Sequence, residues 1–198
     1  MLAYLVLLLA VLSRLLPSFF HATTLSYGAW NFTAVGGGLL FFGSRLQSSP
    51  GAPTWRTGLK LASAVAALMA TDYYLTVFAY QYPFHLRGYI VTWLWYALVC
   101  LLGMEILPKP TILRVVAGVL ASATSFFLLS NFVVWASGLI YPHTSAGLVA
   151  CYVAAIPFYR NDLISTAITA GALFGLPALA AKIAETLHAA HDDNLPLV

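Results

Sequence analysis

The side chains that could do chemistry in this chain are few, and they lie beside long apolar segments. Ionisable groups at membrane depth are costly, so each of them is a functional candidate. Aromatic residues alternate with these polar positions along the chain. A concave site with aromatic walls and a few convergent polar groups is what a small-molecule pocket needs. The sequence therefore predicts a ligand-binding site. Its candidate residues are Arg14, Asp72, His85, Arg87, Trp135, Arg160 and Asn161.

Charge balance predicts what such a site would bind. Asp72 follows an alanine-rich helix half, and we expect it to pair with an arginine, which is Arg14, Arg87 or Arg160. These arginines outnumber the nearby aspartates Asp72 and Asp162, and the surplus favours a small anionic ligand with a carboxylate or phosphate. The alternative is a structural ion-pair cluster that holds helix ends together. Asp162, or the residue before it, is also a candidate N-cap of the last helix.

Motifs of known enzyme classes are missing from the sequence. It contains no HExxH zinc motif, no Gly-x-Ser-x-Gly motif, no Walker motif and no pair of intramembrane aspartates. The histidines are scattered, and Cys100 and Cys151 lie in apolar runs without a metal or disulfide framework. We therefore expect no catalytic activity, no cofactor and no metal site. Without a nucleotide motif, the chain cannot energise transport by itself.

The composition indicates the environment of these side chains. Of 198 residues, 61% are hydrophobic and only 8% are charged, and the mean hydropathy is +0.87. A soluble domain carries about 25% charged residues, so both a water-soluble globule and a disordered chain are excluded. A net charge of +3 without a Lys/Arg cluster gives no footprint for nucleic acid. The sequence predicts an all-α, polytopic protein of the lipid bilayer.

Hydropathy predicts about six transmembrane helices in one bundle. A crossing needs about 20 mostly apolar residues, and the second segment is shorter and rich in glycine. A five-helix alternative, in which this second segment is re-entrant, stays open. Pro157 and the polar run at 159–162 predict a break before the last helix. The predicted helices cover residues 1–20, 32–46, 58–80, 87–107, 110–139 and 162–187, and a half-buried segment covers 144–158.

The expected organisation is a single transmembrane domain over residues 1–188 with a short polar tail over 189–198. Lysine and arginine concentrate in cytoplasmic loops of membrane proteins. With six helices, six of the nine Lys and Arg residues fall on the side that contains both termini. The sequence thus predicts cytoplasmic N and C termini. The six are Arg45, Arg56, Lys60, Lys109, Arg114 and Lys182.

Small residues recur at helical spacing in several predicted helices. In lipid, small side chains allow helix backbones to approach closely. The favoured interpretation is packing within the bundle, and the alternative is that one stripe receives a partner helix. The predicted packing residues are Gly36, Gly37, Gly38, Ala62, Ala66, Gly171 and Gly175.

Two motifs resemble those of an uncharacterised bacterial family of small membrane proteins. The first is Arg-Leu-Leu-Pro from Arg14, followed by Asn-Phe-Thr-x-Val-Gly from Asn31. The second is Pro-Phe-(aromatic)-x-Asn-x-Leu from Pro157, followed by Leu-Phe-Gly from Leu173. The layout of that family is similar to the S components of energy-coupling-factor vitamin transporters. This resemblance implies a six-helix, N-in protein of the bacterial inner membrane that captures a vitamin-like substrate in an outward-facing pocket.

Two functions are therefore expected. The first is a substrate-binding or transport component with a small-molecule pocket, not energised by itself. The second is a structural accessory subunit of a larger membrane protein complex, in which the polar residues form interfaces. A bound small molecule would favour the first function. Stable co-purification with membrane partner subunits would favour the second.

Overall fold

The computed structural model describes residues 1–19, 33–46 and 54–192, and all secondary structure in these residues is helical, as the sequence predicts. The predicted connection after the first helix, most of the loop at 48–54 and the tail from residue 193 lie outside the described residues. The α-helices are α1 (Leu2–Phe19), α2 (Val35–Ser44), α3 (Thr54–Tyr74), α4 (Ile90–Ile106), α5 (Ile112–Ala136), α6 (Ser145–Ala170) and α7 (Leu176–Asp192).

Four helical segments are long and apolar enough to cross a membrane, which indicates a membrane protein. They expose large hydrophobic side chains, as a surface in contact with lipid does. Helices α1 and α2 contain shorter apolar stretches. The 10 residues of α2 span about 15 Å. The four segments are Thr54–Ala79, Leu86–Ile106, Ile112–Ala136 and Ser145–His188.

Helix α2 lies at the centre of the bundle. All ten of its residues are buried, including Leu39, Leu40 and Phe42. It contacts α1, α4, α5 and α6. A helix that is apolar on every side and shorter than the hydrocarbon layer of about 30 Å must be covered by its neighbours. The short second segment is therefore a core helix of the bundle.

Glycines set the spacing around α2. A Cβ at Gly43 would collide with the backbone of Cys100, and a Cβ at Gly103 would collide with the backbone of Leu40. Helices α2 and α4 therefore cross with their backbones nearly touching. The predicted packing glycines 36–38 face α1, α5 and α6 at similarly short distances. Larger side chains at these positions would push the helices apart.

Four of the predicted packing residues do not lie at helix contacts. Within the described residues, no atom lies within 4 Å of a Cβ built on Gly171 or Gly175. Ala62 and Ala66 are exposed on α3. The prediction of close packing inside the bundle is therefore wrong for these residues, because both stripes of small residues face outward.

The last helical segment runs without the predicted break. Helix α6 continues through Pro157, and a π-turn at Gly171–Gly175 joins it to α7. The Thr144 side chain caps α6 by accepting a hydrogen bond from the backbone N–H of Gly147 at 3.1 Å. The separate half-buried segment and the predicted cap at Asp162 are therefore wrong. A proline removes one backbone hydrogen bond, and long membrane helices tolerate that loss.

Helices α1 to α6 run in alternating directions, and α7 continues the direction of α6. The backbone N–H of Ala34 donates to Ser13 Oγ at 2.9 Å, and the ring of Phe42 packs edge-on against Tyr4, so α2 is antiparallel to α1. Short connections reverse the chain between α3 and α4, between α4 and α5, and between α5 and α6. Successive helix ends therefore lie at alternating ends of the bundle.

Candidate functional site

A layer of polar side chains crosses the interior of the bundle. This polar layer contains Arg14 of α1, Asp72 of α3, Tyr96 of α4, Ser125 of α5 and Asp162 of α6. Tyr96 lies six residues, or about 9 Å, after the start of α4, and Ser125 lies eleven residues, or about 16 Å, before the end of α5. The polar layer is therefore inside the helical bundle and not at the helix ends.

An ion pair between Arg14 and Asp72 forms one end of the polar layer. Arg14 Nη2 donates to Asp72 Oδ1 at 2.6 Å, and the Asp72 side chain is only 3% exposed. Arg14 Nη1 donates to Thr71 Oγ1 at 3.0 Å and to Tyr96 Oη at 2.9 Å. Trp93 Nε1 donates to Asp72 Oδ2 at 2.9 Å. Both charges thus have several partners, which a buried ion pair needs to offset its desolvation.

The predicted pairing of Asp72 with an arginine is confirmed, and the partner is Arg14. The other two candidates lie on the surface: Arg87 is exposed in the 3-10 turn Leu86–Gly88, and Arg160 is exposed on α6. Because the charge of Arg14 is balanced by Asp72, the surplus of arginines expected from the sequence is not present at the ion pair.

The remaining predicted site residues lie at three other places. His85 is exposed directly before the 3-10 turn. Trp135 is half-buried near the end of α5, where its Nε1 donates to the carbonyl of Pro142 at 3.1 Å and its ring packs against His143. Asn161 is half-buried on α6. Of the seven predicted residues, the structure therefore joins Arg14 and Asp72 by direct contact.

Asp162 is the second buried carboxylate of the polar layer. It is 8% exposed and lies on the inward face of α6 with Ala155, Ser165 and Thr166. Within the described residues, its carboxylate has no hydrogen-bond or ion-pair partner. In the low-dielectric interior of a membrane bundle an unpartnered carboxylate is costly. Such groups mark functional sites by default.

Two adjoining cavities share Asp162 and Phe126. The larger one, which we call the α5–α6 cavity, has a volume of about 220 Å³, or roughly seven waters at about 30 Å³ each. The smaller cavity, of about 90 Å³, is also lined by Arg14 and Tyr96 and so links Asp162 to the ion pair. The α5–α6 cavity is lined by Phe126, Phe127, Ser130, Asn131, Ala155, Phe158, Tyr159 and Asp162.

Two more buried polar atoms lie near Asp162 without a partner. In the part of the chain that the structure describes, Ser122 Oγ and Thr166 Oγ1 have no hydrogen-bond partner. Both side chains pack against Gly36 of α2, where a Cβ would collide with Thr166 Oγ1. Thr166 lies one helical turn after Asp162 on the same face of α6. Unsatisfied polar groups therefore concentrate on the α5–α6 side of the polar layer.

Sequence reasoning missed Asp162 and Tyr96 as site residues. Asp162 resembled a helix cap because it ends the polar run that follows Pro157, a pattern typical of a helix boundary. The sequence does contain a signal for Asp162. In a continuous helix, the spacing of Ala155, Asp162 and Thr166 places all three residues on one face. Tyr96 lies among other aromatic residues, and nothing in its spacing distinguishes it.

In the described ranges 1–19, 33–46 and 54–192, no group of three histidine, cysteine or acidic side chains could hold a metal ion.

Comparison with known proteins identifies a family but no activity. No curated protein and no solved structure matches the chain. A family of unknown function, DUF6580, matches residues 1–188. The prediction of an uncharacterised family is confirmed, and the chain belongs to the DUF6580 family.

Proposed function

We propose that this integral membrane protein binds a small molecule in the α5–α6 cavity, as a substrate-binding or transport component that is not energised by itself. The observation that carries the proposal is the buried Asp162 carboxylate, which lines the cavity and has no partner within the described residues. A pocket lined by apolar and aromatic side chains with a few convergent polar groups is typical of small-molecule sites.

Asp162 has an energetic cost for the folded bundle. A lone buried carboxylate opposes folding, and a neutral or apolar side chain at the same position would pack at lower cost. The bundle does not need Asp162 to neutralise Arg14, since Asp72 already does so. A costly group that borders open space is typical of a functional site. A ligand that pairs with the carboxylate accounts for both the group and the cavity.

Two neighbouring alanines on α6 provide the test. Ala155 is buried and lines the α5–α6 cavity, whereas Ala154 is exposed. Ala155→Leu should fill the cavity, and Ala154→Leu is the matched control. Mass spectrometry should detect a small molecule released from the gently purified wild-type protein and from Ala154→Leu, and much less of it from Ala155→Leu. Equal release from all three proteins would contradict the proposal.

A structural accessory subunit of a larger membrane complex is the second candidate function, and the position of Arg160 favours it. Arg160 is exposed on α6 fifteen residues, or about 22 Å, after Ser145. An exposed arginine at such depth is costly in lipid unless a partner subunit supplies a carboxylate. Co-purification of another membrane subunit with the wild-type protein, lost in Arg160→Leu, together with an empty cavity, would support this function.

We further propose that six segments cross the bacterial inner membrane, with both termini in the cytoplasm and a layout similar to that of S components. The six-to-three distribution of lysine and arginine supports this orientation. The alternating helix directions support an even number of crossings, with α2 crossing as a core helix covered by its neighbours. The positively charged α4–α5 connection then faces the cytoplasm.

Cysteine labelling tests this orientation. Lys109 and Ser137 are exposed at opposite ends of α5, and the native Cys100 and Cys151 are buried. An impermeant maleimide should label Ser137→Cys on intact cells and should label Lys109→Cys only after the membrane is permeabilised. The reverse pattern would contradict the proposed orientation.

A further inference from the structure

We infer that the ligand of the α5–α6 cavity is an organic cation, whose protonated amine pairs with the Asp162 carboxylate. The inference rests on the proposed function and adds the charge and chemical class of the ligand. Three features of the described residues carry it: the charge left over in the polar layer, the hydrogen-bonding character of the cavity lining, and its aromatic walls.

The charge balance of the polar layer is negative beside the cavity. Arg14 and Asp72 neutralise each other at a separation of 2.6 Å. The described lining of the α5–α6 cavity contains no lysine or arginine, so Asp162 contributes an unbalanced negative charge. The anionic ligand expected from the sequence depended on Arg87 and Arg160, which are exposed elsewhere. In a low-dielectric site a carboxylate favours a ligand of opposite charge.

The other polar groups of the cavity offer hydrogen-bond acceptors. Ser130 Oγ donates to the carbonyl of Phe126 at 2.6 Å, and Asn131 Nδ2 donates to the carbonyl of Phe127 at 2.8 Å. Ser130 thus uses its one donor, and Asn131 uses one of its two N–H donors, on the backbone of α5, and the oxygens of both side chains keep acceptor capacity. The hydroxyl of Tyr159 shares a hydrogen bond with Thr124 Oγ1 at 3.0 Å. A site rich in acceptors selects a ligand that donates, and a primary ammonium group provides three donors.

Aromatic rings form most of the remaining wall. Phe126, Phe127, Phe158 and Tyr159 line the cavity, and the ring centroids of Phe127 and Tyr159 are 4.8 Å apart. The faces of aromatic rings attract cations, most strongly where water is excluded. Hard metal cations instead need about six oxygen ligands, which a wall dominated by aromatic rings does not supply. The lining therefore fits an organic cation better than a metal ion.

Three probes of similar shape and different charge test the inference: 2-phenylethylamine, 2-phenylethanol and 3-phenylpropanoate. Equilibrium binding of each is measured with the full chain in detergent micelles. The amine should bind at least about tenfold more tightly than the alcohol or the acid, since only the ammonium group brings a positive charge to the carboxylate as well as a hydrogen bond. Asp162→Asn should abolish this preference. Glu105→Gln, which removes an exposed carboxylate at the end of α4, should retain it.

The remaining outcomes separate this inference from the proposed function. A preference for the acid, or equal binding of all three probes, would overturn the inference. If the probes bind in either of these two patterns, and the binding is lost in Ala155→Leu and kept in Ala154→Leu, the proposed function stands. If no probe binds, the molecule released from the purified protein decides, because a molecule without a basic nitrogen overturns the inference. No probe binding and no difference in release between the two leucine variants would overturn both.

Discussion

Asp72 and Asp162 are both buried carboxylates of the polar layer, and their surroundings are opposite. Asp72 is 3% exposed and receives hydrogen bonds from Arg14 and Trp93. Asp162 is 8% exposed and has no partner among the described residues. The same chemical group is therefore stabilised at the α3 end of the layer and costly at the α6 end. In our proposal, Asp72 stabilises the bundle and Asp162 binds a ligand.

Helix packing shows the same contrast. Helices α2 and α4 cross at Gly43 and Gly103 without room for a Cβ on either residue. On the other side of the bundle, Gly171 and Gly175 line an open apolar groove of about 610 Å³ between α5 and the α6–α7 segment. The α2–α4 crossing is thus tightly closed, whereas the outer side of the α5–α7 half retains space, although Gly36 and Gly37 pack closely against Thr166 and Thr169 of α6. Binding regions are generally found in the less tightly packed parts of a protein.

Removing the Asp72 carboxylate should have the largest effect. Asp72→Ala should lower the free energy of unfolding by about 3–5 kcal/mol, because it leaves the Arg14 guanidinium buried without its counter-charge. A denaturant titration in detergent micelles measures the loss. The double variant Arg14→Leu/Asp72→Leu should recover most of it, since it removes both charges together. A loss below about 1 kcal/mol in Asp72→Ala would show that the ion pair does not stabilise the bundle.

A methyl group added to each half of the bundle should have an intermediate effect. Gly43→Ala should lower the free energy of unfolding by about 1–3 kcal/mol, because the backbone of Cys100 cannot move aside easily. Gly171→Ala, the matched control in the open half, should change it by no more than about 0.5 kcal/mol. Thermal unfolding of the two variants in the same detergent provides the measurement. Equal melting of both variants would show that the two halves do not differ in packing.

Neutralising Asp162 should have the smallest effect on stability, with the opposite sign. Asp162→Asn should leave the free energy of unfolding of the ligand-free protein unchanged or raise it by about 1 kcal/mol, because it removes a charge that lacks a partner among the described residues. The measurement is the same denaturant titration after extensive dialysis. A destabilisation as large as that of Asp72→Ala would mean that Asp162 has a structural partner, and the contrast between the two carboxylates would disappear.

Helix positions and the ion pair could be predicted from the sequence. Predicted helices at 58–80, 87–107 and 110–139 lie close to the observed α3, α4 and α5, because hydropathy and proline positions both marked their ends. The pairing of Asp72 with an arginine followed from the cost of a lone charge in an apolar segment. The need for a counter-charge applies throughout the apolar segment, so the pair was predicted although its depth was not.

The α5–α7 half of the bundle was harder to predict from the sequence. Pro157 and the polar run after it resemble a helix boundary, and tertiary packing keeps α6 helical through both. Because of this error, the sequence prediction placed Asp162 at a helix end, whereas it lies in the interior of the bundle. The stripe of Gly171 and Gly175 predicted a close contact, but spacing alone does not tell which face of a helix meets a neighbour. Among the described residues, the charge beside the α5–α6 cavity is the carboxylate of Asp162, whereas Arg87 and Arg160, which were expected to provide a positive surplus, are exposed.

Native mass spectrometry of the gently purified protein, compared with its Asp162→Asn variant, tests the central claim most directly. The wild-type protein should carry a bound small molecule whose mass and fragmentation identify a basic nitrogen. The variant should carry at least about tenfold less of it, since the charge-assisted contact to the Asp162 carboxylate is lost. A wild-type protein without a bound molecule, or equal occupancy in both proteins, would contradict the claim that Asp162 is a ligand-binding residue.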